Sequence, residues 1–531
     1  MSTVAMQRTL RDRVDRWSLG VFVVVVVIAV PLLLYLGRDQ WFYRDEWFVL
    51  GDGSESLDGF FDAHNGHWIT VVTVVFRVNY ALWGLHTYLP YQVPVVLLHV
   101  GSAVLLRVVM RRQGVRGWIA TAAALVFVFF GTGSLNIFFG FQISQTGSLF
   151  CGLAYLLLAD RDGPVDQRDW IALAVGIVGL MTSGIFVAMV VGVGVAALVR
   201  RGPLVAAFYT APLACVYGIW YLLYGREDSI LSVSTFREVA RFVADQLNGT
   251  FTALAQSDLG GLALGLAVLG ALAVVLTHAL RTHDWLPFAL PAGLLTAWAA
   301  FASLTAFTRA GAFFGVVSGS SARYLHISAA LFLPLIALAA EYLARRNALA
   351  GVLPVLILGA GLPGNIDALT HRPASVLGNR SEIVTLAHSE HIDDVSSDRQ
   401  PLRVGFTRMP ITTGWLSREA KAGRIPKPMD ETPSLRLRAF GLLALQQLDG
   451  EDKRECPRGK ERRVELVLAK GERIVFEGDI RIRVRHGEGQ SPPIAFTSTL
   501  GSTLVAGLEP LDVVVTDAER GRRPRLCEPR R

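Results

Sequence analysis

The sequence predicts an α-helical polytopic membrane domain followed by a folded extracytoplasmic C-terminal α+β domain. Three observations carry that prediction: an excess of apolar residues, their grouping into blocks long enough to cross hydrocarbon, and arginines placed in the short loops between the blocks. Of 531 residues, 52% are hydrophobic and only 18% are charged, with a mean hydropathy of +0.42. A soluble protein of this size needs more polar residues to cover its surface. From about Asn379 the composition becomes that of a soluble domain. We therefore expect a membrane domain over 1–372 and an outer domain over 373–531, β-rich from about 456.

The first apolar block, Leu19–Leu36, carries no charge and can span about 30 Å of hydrocarbon. It follows Arg8, Arg11, Arg13 and Arg16, as a signal peptide would. No small-residue cleavage site follows it and many apolar blocks do, so it reads as a retained first helix. Further spans are expected at Tyr91–Met110, Trp118–Phe130, Gln142–Ala159, Trp170–Met181 and Gly184–Val199. Leu204–Tyr224, Leu259–Leu280, Trp285–Leu304, Ile327–Leu343 and Leu349–Leu362 bring the total to about eleven. With the N-terminus inside, Arg111, Arg112, Arg116, Arg161, Arg168, Arg200, Arg201, Arg281, Arg345 and Arg346 all fall on the cytoplasmic side. An odd number of spans then puts the C-terminus outside the plasma membrane.

Trp68–Leu85, counted as a span, would break this agreement. Its Thr70, Thr73 and Arg77 share one helical face, so it reads as an interfacial helix anchored by Trp68 and Trp83. Trp170–Met181 and Gly184–Val199 are short, and meet at Thr182-Ser183-Gly184. Irregular backbone at membrane depth must be buried in protein or line a cavity, which suggests a cavity near the outer face. The net charge of +7 does not imply nucleic acid, because many of the arginines sit where topology needs them. The loop with Arg226, Glu227, Asp228, Arg237 and Arg241 reads as a solvated amphipathic helix.

The polar chemistry gathers in the first outer loop, RDQWFYRDEWFVLGDGSESLDGFFDAHNGHW. It holds the adjacent acids Asp45 and Glu46 among Trp41, Phe42, Tyr43 and Trp47, then His64 and His67. Rings beside carboxylates suit a sugar that stacks on the rings and bonds to the acids. A carboxylate in a partly apolar pocket can act as a general base. The bland reading is a solvated loop with belt aromatics. The run FYRDEWFVL, then HNGHW, an amphipathic helix ending LWGL and a span closed by arginines resembles the GT-C glycosyltransferases. That superfamily includes protein O-mannosyltransferases, aminoarabinose transferases and the actinobacterial arabinosyl- and mannosyltransferases of the cell envelope.

The resemblance covers the first ~160 residues best, the later spans matching in hydropathy and order. It implies inverting transfer of a sugar from a polyprenyl-phosphate donor to a glycan, lipid or protein hydroxyl, with Asp45 or Glu46 as base. Many GT-C enzymes carry a further acid in the next outer loop, linked with metal binding. Here that loop, GTGSLNIFFGFQISQ, offers Asn136 and Gln142 but no acid, so no cofactor is expected; a divalent metal is unsupported, and these amides would contact sugar hydroxyls or bond at helix ends. Positive charge for the donor phosphate comes from the loop TRAGAFFGVVSGSSARYLHIS, with Arg309, Arg323, Tyr324 and His326. His64 and His67 can donate to phosphate or sugar, and lack the partners of a zinc site. The rival function is a transporter or flippase of a lipid-linked glycan, which should show ionisable residues at mid-membrane. These spans are nearly free of charge. A non-catalytic envelope scaffold is a third, weaker reading.

In the outer domain TTGWLSREAKAGRIPKP reads as a helix between turns. Val464–Leu468, Ile474–Phe476, Ile480–Arg485, Leu504–Leu508 and Leu511–Thr516 read as strands, the third with clean alternation, and together as a small β-sandwich. Of four cysteines, Cys151 and Cys215 lie in predicted spans. Cys456 and Cys527 bracket the β-rich segment, and an oxidising compartment predicts that they pair.

Overall fold

The computed structural model describes residues 3–51, 58–226, 235–310, 318–372, 378–401, 403–404, 407–408, 411–429, 431–448, 456–458, 461–496, 502–508, 510–518 and 522–527. The chain divides into two compact units. One comprises Met1–Gln40, Ser54–Val75 and Leu89–Val376, the other Trp41–Gly53, Phe76–Tyr88 and Leu377–Arg531.

Among the described residues of the first unit, nine helices are long and apolar enough to cross a membrane: Arg13–Leu36, Leu89–Arg112, Gly117–Phe138, Gly140–Ala159, Pro203–Gly225, Asp258–Thr282, Leu286–Arg309, Ala322–Arg346 and Ala348–Thr370. The two short blocks fold as helices Gln167–Leu180 and Phe186–Arg201 of 14 and 16 residues, with the break at Met181–Ile185. The protein is thus a multi-pass membrane protein. Helix Ala322–Arg346 is the hub, buried without interruption from Tyr324 to Glu341. Its Ala329, Ala330, Ala337, Ala339 and Ala340 let neighbouring backbones approach closely, as packing within lipid requires. Helix Phe236–Ala255 starts with a capping box, Thr235 accepting from the Glu238 N–H and Glu238 from Thr235. Glu227 and Asp228 lie outside the described residues.

Several loop arginines expected on one side of the membrane are held by acids that the hydropathy reading did not weigh. Arg201 pairs with Asp169 at 2.6 Å, both buried, and Arg200 with Asp160 at 2.8 Å. Arg116 and Arg345 both reach Glu341, at 3.3 and 3.0 Å.

Among the described residues of the second unit, the strands form the two-stranded pair Arg403–Val404 and Thr407–Arg408 and two larger antiparallel sheets. One has the order Ile494–Phe496, Ile480–His486, Leu511–Asp517, Arg463–Leu468, and the other Arg525–Leu526, Arg473–Glu477, Ser502–Ala506, Leu445–Leu448. All five predicted strands are present. Leu445–Leu448, Ile494–Phe496, Arg525–Leu526, Gly489–Gln490 (paired with Ile480–His486), Arg403–Val404 and Thr407–Arg408 are additional, being too short for alternation to show. Ile480, Ile482 and Val484 are buried, and they pair in register with Asp517, Val515 and Val513. The helix of the TTGWLSREAK segment is Thr413–Lys421, capped by Thr412. Cys456 and Cys527 are disulfide-bonded, 71 residues apart, with Cα atoms 4.9 Å apart. Cys151 and Cys215 are free thiols.

Candidate functional site

The acidic pair belongs to the second unit, and its two members have different surroundings. Arg44 takes a left-handed φ of 44°, an unusual conformation for a non-glycine residue that marks a sharp change of chain direction. The chain then starts the short helix Glu46–Gly51. Glu46 is fully buried, accepting from the Tyr88 hydroxyl at 2.6 Å and the Tyr43 N–H at 2.8 Å. Asp45, the residue before it, is partly exposed. Trp41, Phe42 and Trp47 are buried too, packed at 5.2 to 5.7 Å, with Phe42 also against Tyr88 at 5.1 Å. These three rings are therefore core and offer no stacking face to a sugar, contrary to expectation; Tyr43 alone of the four is partly exposed.

The same unit ties in the end of the amphipathic helix Thr70–Trp83. The Tyr80 hydroxyl donates to Glu419 at 2.5 Å, and Arg424 donates to the same carboxylate through Nε and, at 2.9 Å, Nη2. Burial alone would raise the Glu419 carboxyl, but the Arg424 and Tyr80 bonds outweigh it and hold the group below its ordinary value. The Leu85 N–H donates to the Arg424 carbonyl at 2.8 Å.

His64 and His67 lie in the first unit, where strands Ala63–His64 and His67–Trp68 form a minimal hairpin. Asn65 and Gly66 both have positive φ, 51° and 76°, which is what a two-residue Asn-Gly turn demands. The HNGHW string carried that signal, and the strand reading had missed it. The hairpin lies against the break between the short helices. A Cβ on Gly184 would meet His67 Nδ1 and the Tyr217 hydroxyl, each at 2.9 Å. Trp68 stacks on Trp220 at 5.3 Å, and Trp220 Nε1 donates to the Phe61 carbonyl.

Of the remaining predicted residues, Asn136, Arg323, Tyr324 and His326 come together at the start of helix Ala322–Arg346, while Gln142 ends the turn Gly140–Gln142. Arg323 and Tyr324 stand in its first turn and Arg309 ends helix Ala289–Arg309, so the expected loop is shorter than predicted. Arg323 Nη2 donates to the Tyr324 hydroxyl at 3.0 Å, and the Arg323 carbonyl accepts from Asn136 Nδ2 at 3.0 Å. Tyr324 is buried against Phe242 and Phe301. One turn on, His326 and His99 are both fully buried, with His326 Nε2 and His99 Nδ1 3.0 Å apart and His99 Nε2 3.1 Å from the Val128 carbonyl. The carbonyl can only accept, so His99 Nε2 carries a proton, His99 Nδ1 accepts, and His326 Nε2 donates. With both rings neutral, His326 Nδ1 is left as a bare acceptor. Gln246 Nε2 donates to Ser328 at 2.9 Å, two residues further along the helix.

Five buried polar atoms among these residues have no hydrogen-bond partner: Asn136 Oδ1, Gln246 Oε1, His326 Nδ1 and Arg323 Nε near this helix start, and Gln142 Oε1 in the turn Gly140–Gln142. Four accept and one donates. Each such orphan costs about 1–3 kcal/mol, and buried polar groups are nearly always bonded. Sequence reasoning missed His99 and Gln246; a histidine inside an apolar span was the available signal. Among the described residues there is no cluster of three or more His, Cys, Asp or Glu able to hold a metal ion.

No family model matches the sequence, and no curated protein does. A solved structure is similar over most of both chains: the crystal structure of ArnT from Cupriavidus metallidurans bound to undecaprenyl phosphate. The identity is 14%, the match covers 80% of this chain and 88% of that chain, and the TM-score is 0.44.

Proposed function

We propose that this chain is a membrane glycosyltransferase of the GT-C type, moving a sugar from a polyprenyl-phosphate donor to an extracytoplasmic hydroxyl with inversion, in cell-envelope glycan assembly. The carrying observation is the group of unpartnered buried polar atoms around the start of helix Ala322–Arg346. Its acceptors, Asn136 Oδ1, Gln246 Oε1 and His326 Nδ1, suit sugar hydroxyls, which donate. The spare Arg323 N–H suits a phosphate oxygen, since a guanidinium keeps its charge and bonds such oxygens directionally. Nucleotide sugars are cytoplasmic, so an outer active site needs a lipid-linked donor.

In this reading the acceptor hydroxyl gives its proton to Asp45 and its oxygen attacks the anomeric carbon. The bond from that carbon to the phosphate oxygen breaks, and polyprenyl phosphate leaves with the electron pair. Arg323 steadies the growing negative charge, with Arg309, His64 and His67 as further donors. Asp45 is preferred over Glu46 as base because both Glu46 oxygens already accept bonds in a closed core. No metal is included. The N-terminus is placed in the cytoplasm and residues 373–531 outside, with residues 1–372 as the transferase domain, of which Trp41–Gly53 and Phe76–Tyr88 fold in one compact unit with Leu377–Arg531.

The test is transfer, or hydrolysis, by the purified protein supplied with polyprenyl-phosphate arabinose, mannose and aminoarabinose. Arg323→Ala should weaken donor binding and turnover together, and Arg323→Lys should restore them only in part because the planar fork is lost. Unchanged donor affinity in both variants removes Arg323 from the site. No turnover on any donor by the folded protein removes the function.

A further inference from the structure

The second unit contains a cleft of about 740 Å³. Residues of helices Arg380–Ala387 and Pro433–Ala444 and of strand Ile480–His486 line it. That volume holds a ligand of several rings. Its apolar lining includes Leu437, Phe440, Val484 and Leu511, with Phe440 edge-on to His391 at 5.1 Å.

Both arginines that line it are already committed to carboxylates, while the exposed Glu390 adds one further negative charge. Arg436 pairs with Glu431 at 2.9 Å, and Arg485 with Glu465 at 2.6 Å and Asp512 at 3.5 Å. His391 pairs with Asp394 at 3.0 Å. A lining whose guanidinium groups are bound to carboxylates is a poor anion trap, because a phosphate would have to displace them. It still presents many donors and acceptors with little net charge. An apolar face framed by such groups matches the C–H face and hydroxyl edge of a sugar ring. Thr385 adds an independent sign. It lines the cleft at 2% exposure and its hydroxyl has no hydrogen-bond partner. Buried hydroxyls are nearly always bonded, and a sugar hydroxyl can supply the missing donor or acceptor.

We infer that this cleft binds a neutral oligosaccharide through the Phe440 face and the Thr385 hydroxyl. Its purpose, holding the glycan acceptor, rests on the transferase reading; the binding itself does not.

The experiment is calorimetric titration of the full chain in nanodiscs with linear mannohexaose, linear arabinohexaose and inorganic phosphate, without donor. At least one hexasaccharide should bind saturably, phosphate should not, and Asp45→Asn should bind as the parent does. Thr385→Val keeps shape and removes an unbonded hydroxyl, so it should melt no lower than the parent yet bind roughly tenfold more weakly, one hydrogen bond's worth. Phe440→Leu should weaken binding as well. Failure of both hexasaccharides to bind, saturable binding of phosphate, or undiminished glycan binding by both variants overturns the inference. Sugar transfer without glycan binding overturns the cleft and leaves the transferase standing. Glycan binding without transfer on any donor does the reverse.

Discussion

Replacing the two neighbouring acids one at a time separates a chemical role from a structural one. Glu46 accepts from Tyr88 and from the Tyr43 N–H within a core of Trp41, Phe42 and Trp47. Glu46→Gln keeps the volume but turns one acceptor into an NH2 facing a donor. One buried donor then loses its partner, at a cost of about 1–3 kcal/mol. A unit of this size shifts its melting point by about 2–4 °C per kcal/mol, so the variant should melt several degrees lower. At a temperature where it remains folded, its turnover should stay near that of the parent. Asp45→Asn should lose about 10²–10⁴ in rate, the worth of a general base, with a smaller shift in melting. Tryptophan fluorescence melts and a transfer assay on the same preparations measure both. Full stability with lost turnover in Glu46→Gln, together with an active Asp45→Asn, would refute the assignment.

Cys527→Ser should destabilise the second unit by about 4 kcal/mol, since the bond closes a loop of about 70 residues in the unfolded chain; chemical denaturation with and without reductant measures it, and equal midpoints would show that the bond contributes nothing. Glu419 titrates below its ordinary value of 4.5 in the folded state. Its contribution is therefore complete above that value and is lost as the pH falls through the lower folded value. Melting temperature should drop over that acidic window in the parent and less steeply in Glu419→Gln; parallel curves would discard the Arg424–Tyr80 account. For topology, Gly133 is a poor labelling position because a Cβ there would meet His326 Cδ2 at 2.6 Å, and Gly450 lies outside the described residues. Cysteines at the exposed positions Asp162 and Glu488, in a chain with Cys215→Ser, serve instead. An impermeant reagent on intact cells should label position 488 and spare 162; the opposite pattern reverses the orientation.

Most of the architecture was legible because it depends on local properties. A membrane helix announces itself through a block of apolar residues, and a half-buried strand through alternation, as in Ile480-Arg-Ile-Arg-Val-Arg485. Where that local signal was weak the reading failed: strand Ile494–Phe496 has only three residues. The start of helix Ala322–Arg346 was misplaced because Arg323 and His326 look like loop residues to hydropathy, although the hub helix buries His326 completely.

The sequence alone thus determined the apolar blocks, the loop arginines between them, the β-rich end and the candidate acids, since each is written in neighbouring residues. Only the tertiary structure decided what those residues do. It made Glu46 a core acceptor through Tyr88, 42 positions away, and joined His99 to His326 across 227 and Tyr80 to Glu419 across 339. It also turned three aromatic rings of the first loop into packing for the unit that contains Leu377–Arg531. Burial and hydrogen-bond partnership are properties of pairs distant in the chain, and no periodicity or composition within one segment records them.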